Sequence, residues 1–230
     1  MKIAIVTGAS GNLGQATIKK FIDGGYFVIG TVIPGDPANI DFPGESFEKA
    51  AVDLLDEDDS QKFLDTVVST YGRIDVAILT VGGFAAGNIA ETKTRDIGKQ
   101  YKLNFETAYN IARPVFGQMK KKQNHGRIFI IGSRPGLDAR HGKGMVAYGL
   151  AKSLLFRLAD LFNDEAAGQD IVTSVVIPST IDTPGNRKAM SKADFKSWVR
   201  AEQIADVIYF YSSELASALR EPVIKVYNNA

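Results

Sequence analysis

Cysteine is absent from this 230-residue chain. Its absence excludes disulfides, thiol nucleophiles and thiolate-bound metal, and it suits a reducing compartment. Histidine is scarce. His125 and His141 are the only two, too few to make an obvious metal site, so no metal is expected. Long apolar runs are missing too. No stretch approaches the ~20 residues that span a bilayer. Met1 leads into Lys2-Ile3-Ala4-Ile5-Val6, which is too short for a secretory core segment and ends in a glycine turn. Nor is there a surplus of charge. Lys and Arg number 27 against 26 Asp and Glu, so no net field draws the chain to nucleic acid or acidic lipid. The run Lys120-Lys121-Lys122 reads as a solvated helix end whose cations complement the C-terminal dipole. A cytoplasmic protein with neither nucleic-acid nor membrane partners is expected.

What is present alternates. Short β-branched runs at 2–7, 26–33, 48–53, 74–80, 126–132, 170–177 and 222–227 predict strands. Helical patterns occupy 12–24, 57–70, 92–121, 147–166 and 202–212. Strand followed by helix, repeated, predicts an α/β fold: a doubly wound parallel sheet of about seven strands, covered on both faces. The runs at 3–6, 128–131 and 171–177 are apolar almost throughout, as strands buried on both sides must be. No repeat or low-complexity segment divides the chain, so residues 1–230 are expected to form one Rossmann-like domain. Two loops are long, Pro34–Phe47 and Ser179–Trp198. In such folds ligands sit at the carboxyl ends of the strands, where these loops lie.

The first strand ends in Thr7-Gly8-Ala9-Ser10-Gly11-Asn12-Leu13-Gly14 and a helix follows. Gly8 permits a tight turn, Gly11 lets the backbone approach a pyrophosphate, and Gly14 lets helix pack on strand. The helix start offers free N–H groups and positive dipole to phosphates. Gly8, Ser10, Gly11, Asn12, Leu13 and Gly14 are thus expected to hold a dinucleotide. The second strand ends Thr31-Val32-Ile33-Pro34, with no acid to grip a ribose diol until Asp36 and no base for a 2′-phosphate. The missing acid removes repulsion against that phosphate and tilts the expectation toward NADP, with NAD also accepted.

Tyr148-Gly149-Leu150-Ala151-Lys152 places a phenol and an ammonium one helical turn apart, on one face. An ammonium beside a phenol favours the phenolate and makes the tyrosine a better acid–base group. Together with the glycine loop, this pair resembles the short-chain dehydrogenase/reductase family over nearly the whole chain. The resemblance implies NAD(P)-dependent hydride transfer, with Tyr148 as proton donor and Lys152 holding the nicotinamide ribose. It also implies that Asn104 holds a proton relay and that Ser133 orients the substrate carbonyl. Ser133 stands 15 residues before Tyr148, a longer gap than is usual in the family. Asp53 and Leu54 match the adenine-contacting position, and Val81, Gly82 and Gly83 stand where the family's fourth strand meets the cofactor. Pro178, Thr180 and Thr183 match the segment at the nicotinamide end.

The stretch Val81-Gly82-Gly83-Phe84-Ala85-Ala86-Gly87-Asn88 resembles the glycine-rich segment of dihydropteridine reductases. So does Asp182-Thr183-Pro184-Gly185-Asn186-Arg187-Lys188, with Ala193-Asp194-Phe195 and Trp198 after it. The expected activity is reduction of a carbonyl or imine of a small substrate, possible substrates including quinonoid dihydropteridine and 3-oxoacyl or other ketones. A non-catalytic NAD(P)-binding regulator is the rival of another class. Phe84 and Trp198 are candidates to line a flat pocket, and Arg134 or Arg187 to meet an anionic group, while His141 lies in the loop before Tyr148. The helices bearing Asn104 and Tyr148 resemble those that pair subunits, so Phe105, Tyr109 and Phe116 are expected at the interface of a homodimer or homotetramer.

Overall fold

The structure, a computed structural model, describes residues 1–38, 40–42, 44–122 and 125–229. Its strands in chain order are β1 (Lys2–Thr7), β2 (Tyr26–Val32), β3 (Phe47–Ala51), β4 (Val76–Leu79), β5 (Gly126–Ile131) and β6 (Ile171–Pro178). Two-residue strands β7 (Ile181–Asp182) and β8 (Val199–Arg200) pair with each other, and β9 (Val223–Val226) ends the series. The main sheet runs β3-β2-β1-β4-β5-β6-β9, seven strands with every pairing parallel. The helices are α1 (Asn12–Asp23), α2 (Glu57–Tyr71), α3 (Thr94–Tyr101), α4 (Thr107–Lys122), α5 (Arg134–Leu137), α6 (Val146–Glu165), α7 (Pro184–Ala189) and α8 (Ala201–Ser212).

Alternation of side chains along each strand sorts the core into two layers. In β1, Ile3 and Ile5 point to the face covered by α2, α4 and α6, among Leu64, Ile111 and Leu155. Ala4 and Val6 point to the other face, where Ile18 and Phe21 of α1 meet Ile204 and Ile208 of α8. Both faces of β1 are buried, so a one-residue slip would exchange Ile3 and Ile5 with the smaller Ala4 and Val6 and misfit both layers. The strand order reverses between β1 and β4, and ligand crevices open at such a switch point. The two strand ends are tied there. Thr80 Oγ1 donates to Thr7 O at 2.6 Å, and Thr80 N–H donates to Thr7 Oγ1 at 3.1 Å.

Three expectations need correction. The helix expected over 92–121 is continuous from Thr94 to Lys122 but widened midway: between α3 and α4 lies a π-helical turn, Lys102–Glu106, in which the Thr107 N–H reaches back five residues to Lys102 O. The expected long loop Ser179–Trp198 contains β7 and α7, the latter started by Thr183 Oγ1 accepting from Asn186 N–H at 3.1 Å. Phe116, expected at an interface, is buried against Phe162 with ring centroids 4.7 Å apart. It shares the inward face of α4 with Ile111, Ala112, Val115 and Met119. Tyr101, Phe105 and Tyr109, spaced by four, instead stack along the outward face at 5.2 and 6.0 Å.

Candidate active site

The glycine loop leaves β1 and caps α1 through backbone alone. Gly11 is the N-cap in extended conformation and no side chain caps the helix, so the first-turn N–H groups face outward unclaimed by side chains. Gly8 takes a positive φ of 68°, which favours glycine. A Cβ on Gly14 would stand 2.2 Å from Gly8 O and 3.0 Å from Gly8 C, so any side chain there would push α1 off the loop. Leu13 is buried beneath the loop, while Asn12 lies at its exposed lip. The contact that the local sequence did not announce is Ser10 Oγ donating to Asp36 Oδ2 at 2.7 Å. Asp36 Oδ1 also accepts from Ala38 N–H at 2.8 Å. The Ser10 hydroxyl, followed by that N–H, holds the carboxyl below its ordinary 3.8. An ionised acid therefore stands at the loop, although the end of β2 itself has none.

Further along the strand ends, Asp53 and Leu54 follow β3. Asp53 Oδ1 accepts from Leu55 N–H at 3.0 Å, and Leu54 O accepts from buried Asn110 at 2.9 Å. After β4, Gly82 runs against two interior groups: a Cβ on it would lie 2.7 Å from Asn104 Oδ1 and 3.0 Å from Lys152 Nζ. Asn104 is fully buried in the π turn. Its Nδ2 donates to Gly83 O, Gln100 O and Gln100 Oε1, and its Oδ1 accepts from Gly83 N–H at 3.1 Å. The carboxamide thus clamps both backbone groups of Gly83. Such widened turns recur at functional sites, and this one sets Asn104 and Gly82 side by side.

Helix α6 brings Tyr148 and Lys152 to the same crevice. Lys152 is buried, and its ammonium donates to Ile131 O, the last residue of β5, at 2.7 Å. Burial drives its pKa down to about 8. Burial raises that of Tyr148, and the Ser133 hydroxyl hydrogen-bonded to it partly opposes the rise. The sequence pair suggested an ammonium drawn directly to the phenol, yet Lys152 instead reaches the β5 carbonyl. A raised phenol is nonetheless a reservoir: it holds its proton at neutral pH. The loop before α6 carries the extra residues between Ser133 and Tyr148. Ser133 N-caps α5, and Asp138 caps a short 3₁₀ turn at Ala139–His141.

The short chain dehydrogenase family model matches residues 2–194. The chain belongs to this family. It is an oxidoreductase of a family that binds NAD(P) and acts on small molecules. Over 243 aligned residues it is 27% identical to a 3-oxoacyl-(acyl-carrier-protein) reductase of Thermotoga maritima, covering 98% of this chain and 96% of that one. A dihydropteridine reductase of Dictyostelium discoideum is 26% identical over 218 residues, covering 92% and 88%. Among solved structures, a short chain dehydrogenase of Bacillus anthracis superposes with TM-score 0.85 at 18% identity, covering 99% of this chain and 95% of that one. A 4-hydroxyisoleucine dehydrogenase complexed with NADH does so at 0.83 and 20%, covering 99% and 97%.

Of the other candidate residues, Phe84 meets Tyr148, while Trp198, expected to line a pocket, is instead buried against Phe195. Phe84 is 63% exposed, and its ring meets Tyr148 edge-on at 5.3 Å. The segment bearing it is tied to the start of α6, with Gly87 N–H donating to Gly144 O and Val146 N–H to Gly87 O. Pro178 ends β6, and Thr180 O accepts from Val199 N–H at 3.0 Å, which joins β7 to β8. Trp198 is buried against Phe195 at 4.8 Å, its carbonyl taken by Asn228. Arg187 pairs with Asp182 at 2.6 Å and lies over the Phe195 ring. Arg134 lies over Tyr227 at 4.1 Å, and His141 is exposed. Among the described residues, no group of His, Cys, Asp or Glu is placed to hold a metal, and no helix is long and apolar enough to cross a membrane.

The depressed Lys152 has a measurable consequence. Its folded-state pKa, about 8, lies below its ordinary 10.5. Below pH 8 the side chain is charged in folded and unfolded chains alike, and the folded state bears the full cost of burying it. Between pH 8 and 10.5 the unfolded chain binds more protons, so stability rises with pH. A shift of this size corresponds to ~3 kcal/mol. Urea unfolding of the wild type and Lys152→Met at pH 7.5 and pH 10 should therefore show the wild type gaining ~2–3 kcal/mol relative to the variant. Parallel pH curves for the two proteins would refute the buried ammonium.

Proposed function

We propose that the chain reduces a C=O or C=N group of a small planar substrate, quinonoid dihydropteridine being the first compound to try. The observation that carries this reading is the exposed Phe84 ring set edge-on against Tyr148, since aromatic faces suit a flat ring. Residues 1–230 form one cofactor-binding domain. The residues present fit the cofactor: α1 offers uncapped N–H groups, and Gly82, having no side chain, lets the backbone pass close to Asn104 and Lys152. Gly8, Ser10, Gly11, Asn12, Leu13 and Gly14 take the pyrophosphate, Asp53 and Leu54 the adenine end. Val81, Gly82, Gly83, Pro178, Thr180 and Thr183 line the nicotinamide end.

When bound, the nicotinamide supplies the hydride. Tyr148 gives the proton to the substrate oxygen or nitrogen, its burial keeping the phenol loaded at neutral pH. Ser133 donates a hydrogen bond to the same oxygen. Lys152 holds the nicotinamide ribose, and its ammonium offsets the charge left on Tyr148. Asn104 fixes Gly83, and through it the segment bearing Phe84, and supports a proton relay. Asp36 takes the ribose diol and penalises a 2′-phosphate. Its contact with Ser10 therefore favours NAD, against the NADP suggested by the strand end. The outward stack Tyr101, Phe105 and Tyr109, with exposed Leu150, Leu154 and Leu161 on α6, suits a second copy in a homodimer or homotetramer.

A second reading, reduction of 3-oxoacyl thioesters, is supported by the Thermotoga relative. The test is consumption of NADH and NADPH with quinonoid dihydropterin, simple quinones and 3-oxoacyl thioesters. Turnover of the flat substrates at least tenfold faster than of thioesters is expected, the scale of ~1.4 kcal/mol of differential binding. Turnover of thioesters alone would overturn the planar-ring assignment. Cofactor binding without turnover of any compound would favour a regulatory role.

A further inference from the structure

Gly136 lies in α5, three residues after Ser133. A Cβ built on it would stand 2.7 Å from Lys152 Cβ, 2.8 Å from the Lys152 carbonyl carbon and 3.0 Å from its oxygen. The carbonyl atoms and Cβ of a helical residue cannot swing aside as the end of a flexible side chain can. The α5 turn is therefore seated flush on α6 at Lys152. From that seat the Gly136 N–H donates to Ser133 Oγ at 3.2 Å, shared with Ser133 O at 3.2 Å. A hydroxyl that accepts a hydrogen bond from a backbone N–H is left to donate its own proton elsewhere, and the Tyr148 phenol is within its hydrogen-bonding reach.

We propose that Gly136 is a positioning residue: seated on Lys152, it aims its N–H at Ser133 Oγ and so turns the Ser133 proton toward Tyr148 and the substrate oxygen. The proposal rests on the assignment of Ser133 above. It explains why the segment between Ser133 and Tyr148 closes back as a helical turn, so that the hydroxyl is held from behind by a backbone donor. Backbone donors suit this role because they are fixed by the fold and need no reorganisation during the reaction.

The test is Gly136→Ala, made in the wild-type and Ser133→Ala backgrounds. In the wild type, kcat should fall by ~10-fold or more, and the melting temperature should fall by the same amount in both backgrounds, because the added Cβ presses on the Lys152 backbone in each. In the Ser133→Ala background the same substitution should lower kcat by a clearly smaller factor than in the wild type, because only the pressure on Lys152 remains and the hydroxyl it positions is gone. An equal fall in both backgrounds would show that Gly136 acts only through the scaffold and overturn the proposal. So would an unchanged kcat in the wild type. If Ser133→Ala alone left kcat intact, the function assigned to Ser133 would fail first, and the proposal with it. Should Gly136→Ala not fold, the Gly136 amide resonance decides: Ser133→Ala should move it upfield and speed its exchange, and an unmoved amide would refute the contact.

Discussion

Replacing Tyr148 with Phe is expected to lower kcat by ~10²–10⁴-fold, the usual worth of a positioned general acid. The substitution removes one oxygen and keeps the ring, so the edge contact with Phe84 persists. NADH affinity, measured by titration calorimetry, should stay within about threefold, because the phenol acts in the transition state and adds little to ground-state binding. Ser133 cannot replace the acid, since an aliphatic hydroxyl gives up its proton far less readily than a phenol. Burial holds the Tyr148 proton above its ordinary 10.0, whereas Lys152 sheds its proton at about 8. The reduction rate of the wild type should therefore decline first as Lys152 becomes neutral, with Tyr148 still protonated. A Phe variant retaining more than about a tenth of wild-type kcat would show that the proton comes from elsewhere.

What was legible in the sequence follows the range of the signal that carries it. The sheet was legible because doubly buried strands are apolar almost throughout: Val76–Leu79 and Ile171–Pro178 have no exposed position, and only Thr173 and Ser174 in them are polar. The pair Tyr148 and Lys152 was legible because four residues on a helix share a face. Phe116 was misplaced because an aromatic in a mixed helix faces in or out by a shift of one position. The π turn left no local mark, since it inserts one residue into a helical pattern that continues on both sides. It accompanies a tertiary contact, the grip of Asn104 on Gly83, 21 residues away in sequence. Gln100, which completes that grip, was missed for the same reason. Its buried amide one turn before Asn104 was the only available signal. Gly136 was hidden differently: a glycine in a Pro-Gly dipeptide reads as an ordinary turn, and only the backbone of α6 against it shows otherwise. Asp36 carries a weak signal in the sequence, because it stands beyond the strand end where an acid is usually sought and acts only if its loop folds back. The turn in which Asp36 N–H donates to Ile33 O folds it back.

That fold-back carries the second large expected effect. The wild type should prefer NADH, and Asp36→Asn should raise the ratio of kcat/KM for NADPH over NADH by ~10–100-fold. The direction follows from removing a carboxylate whose charge would repel a 2′-phosphate. The carboxamide keeps an oxygen that accepts from Ser10, so the loop should hold its shape while the charge disappears. Most of the change should appear as improved NADPH kinetics, because what is removed is a repulsion. The loss for NADH should be smaller, since a carboxamide still accepts a hydrogen bond from a ribose hydroxyl. Val32→Asp places an acid at the strand end directly, and combined with Asp36→Asn it should restore NADH preference if charge near the ribose is the cause. Because Asp36 is held below 3.8 by Ser10 and the Ala38 N–H, it stays ionised throughout the neutral range, and its contribution should not change between pH 6 and 8. Equal use of both cofactors by the wild type would refute the assignment. An unchanged ratio in Asp36→Asn would reduce the Ser10 contact to loop structure alone.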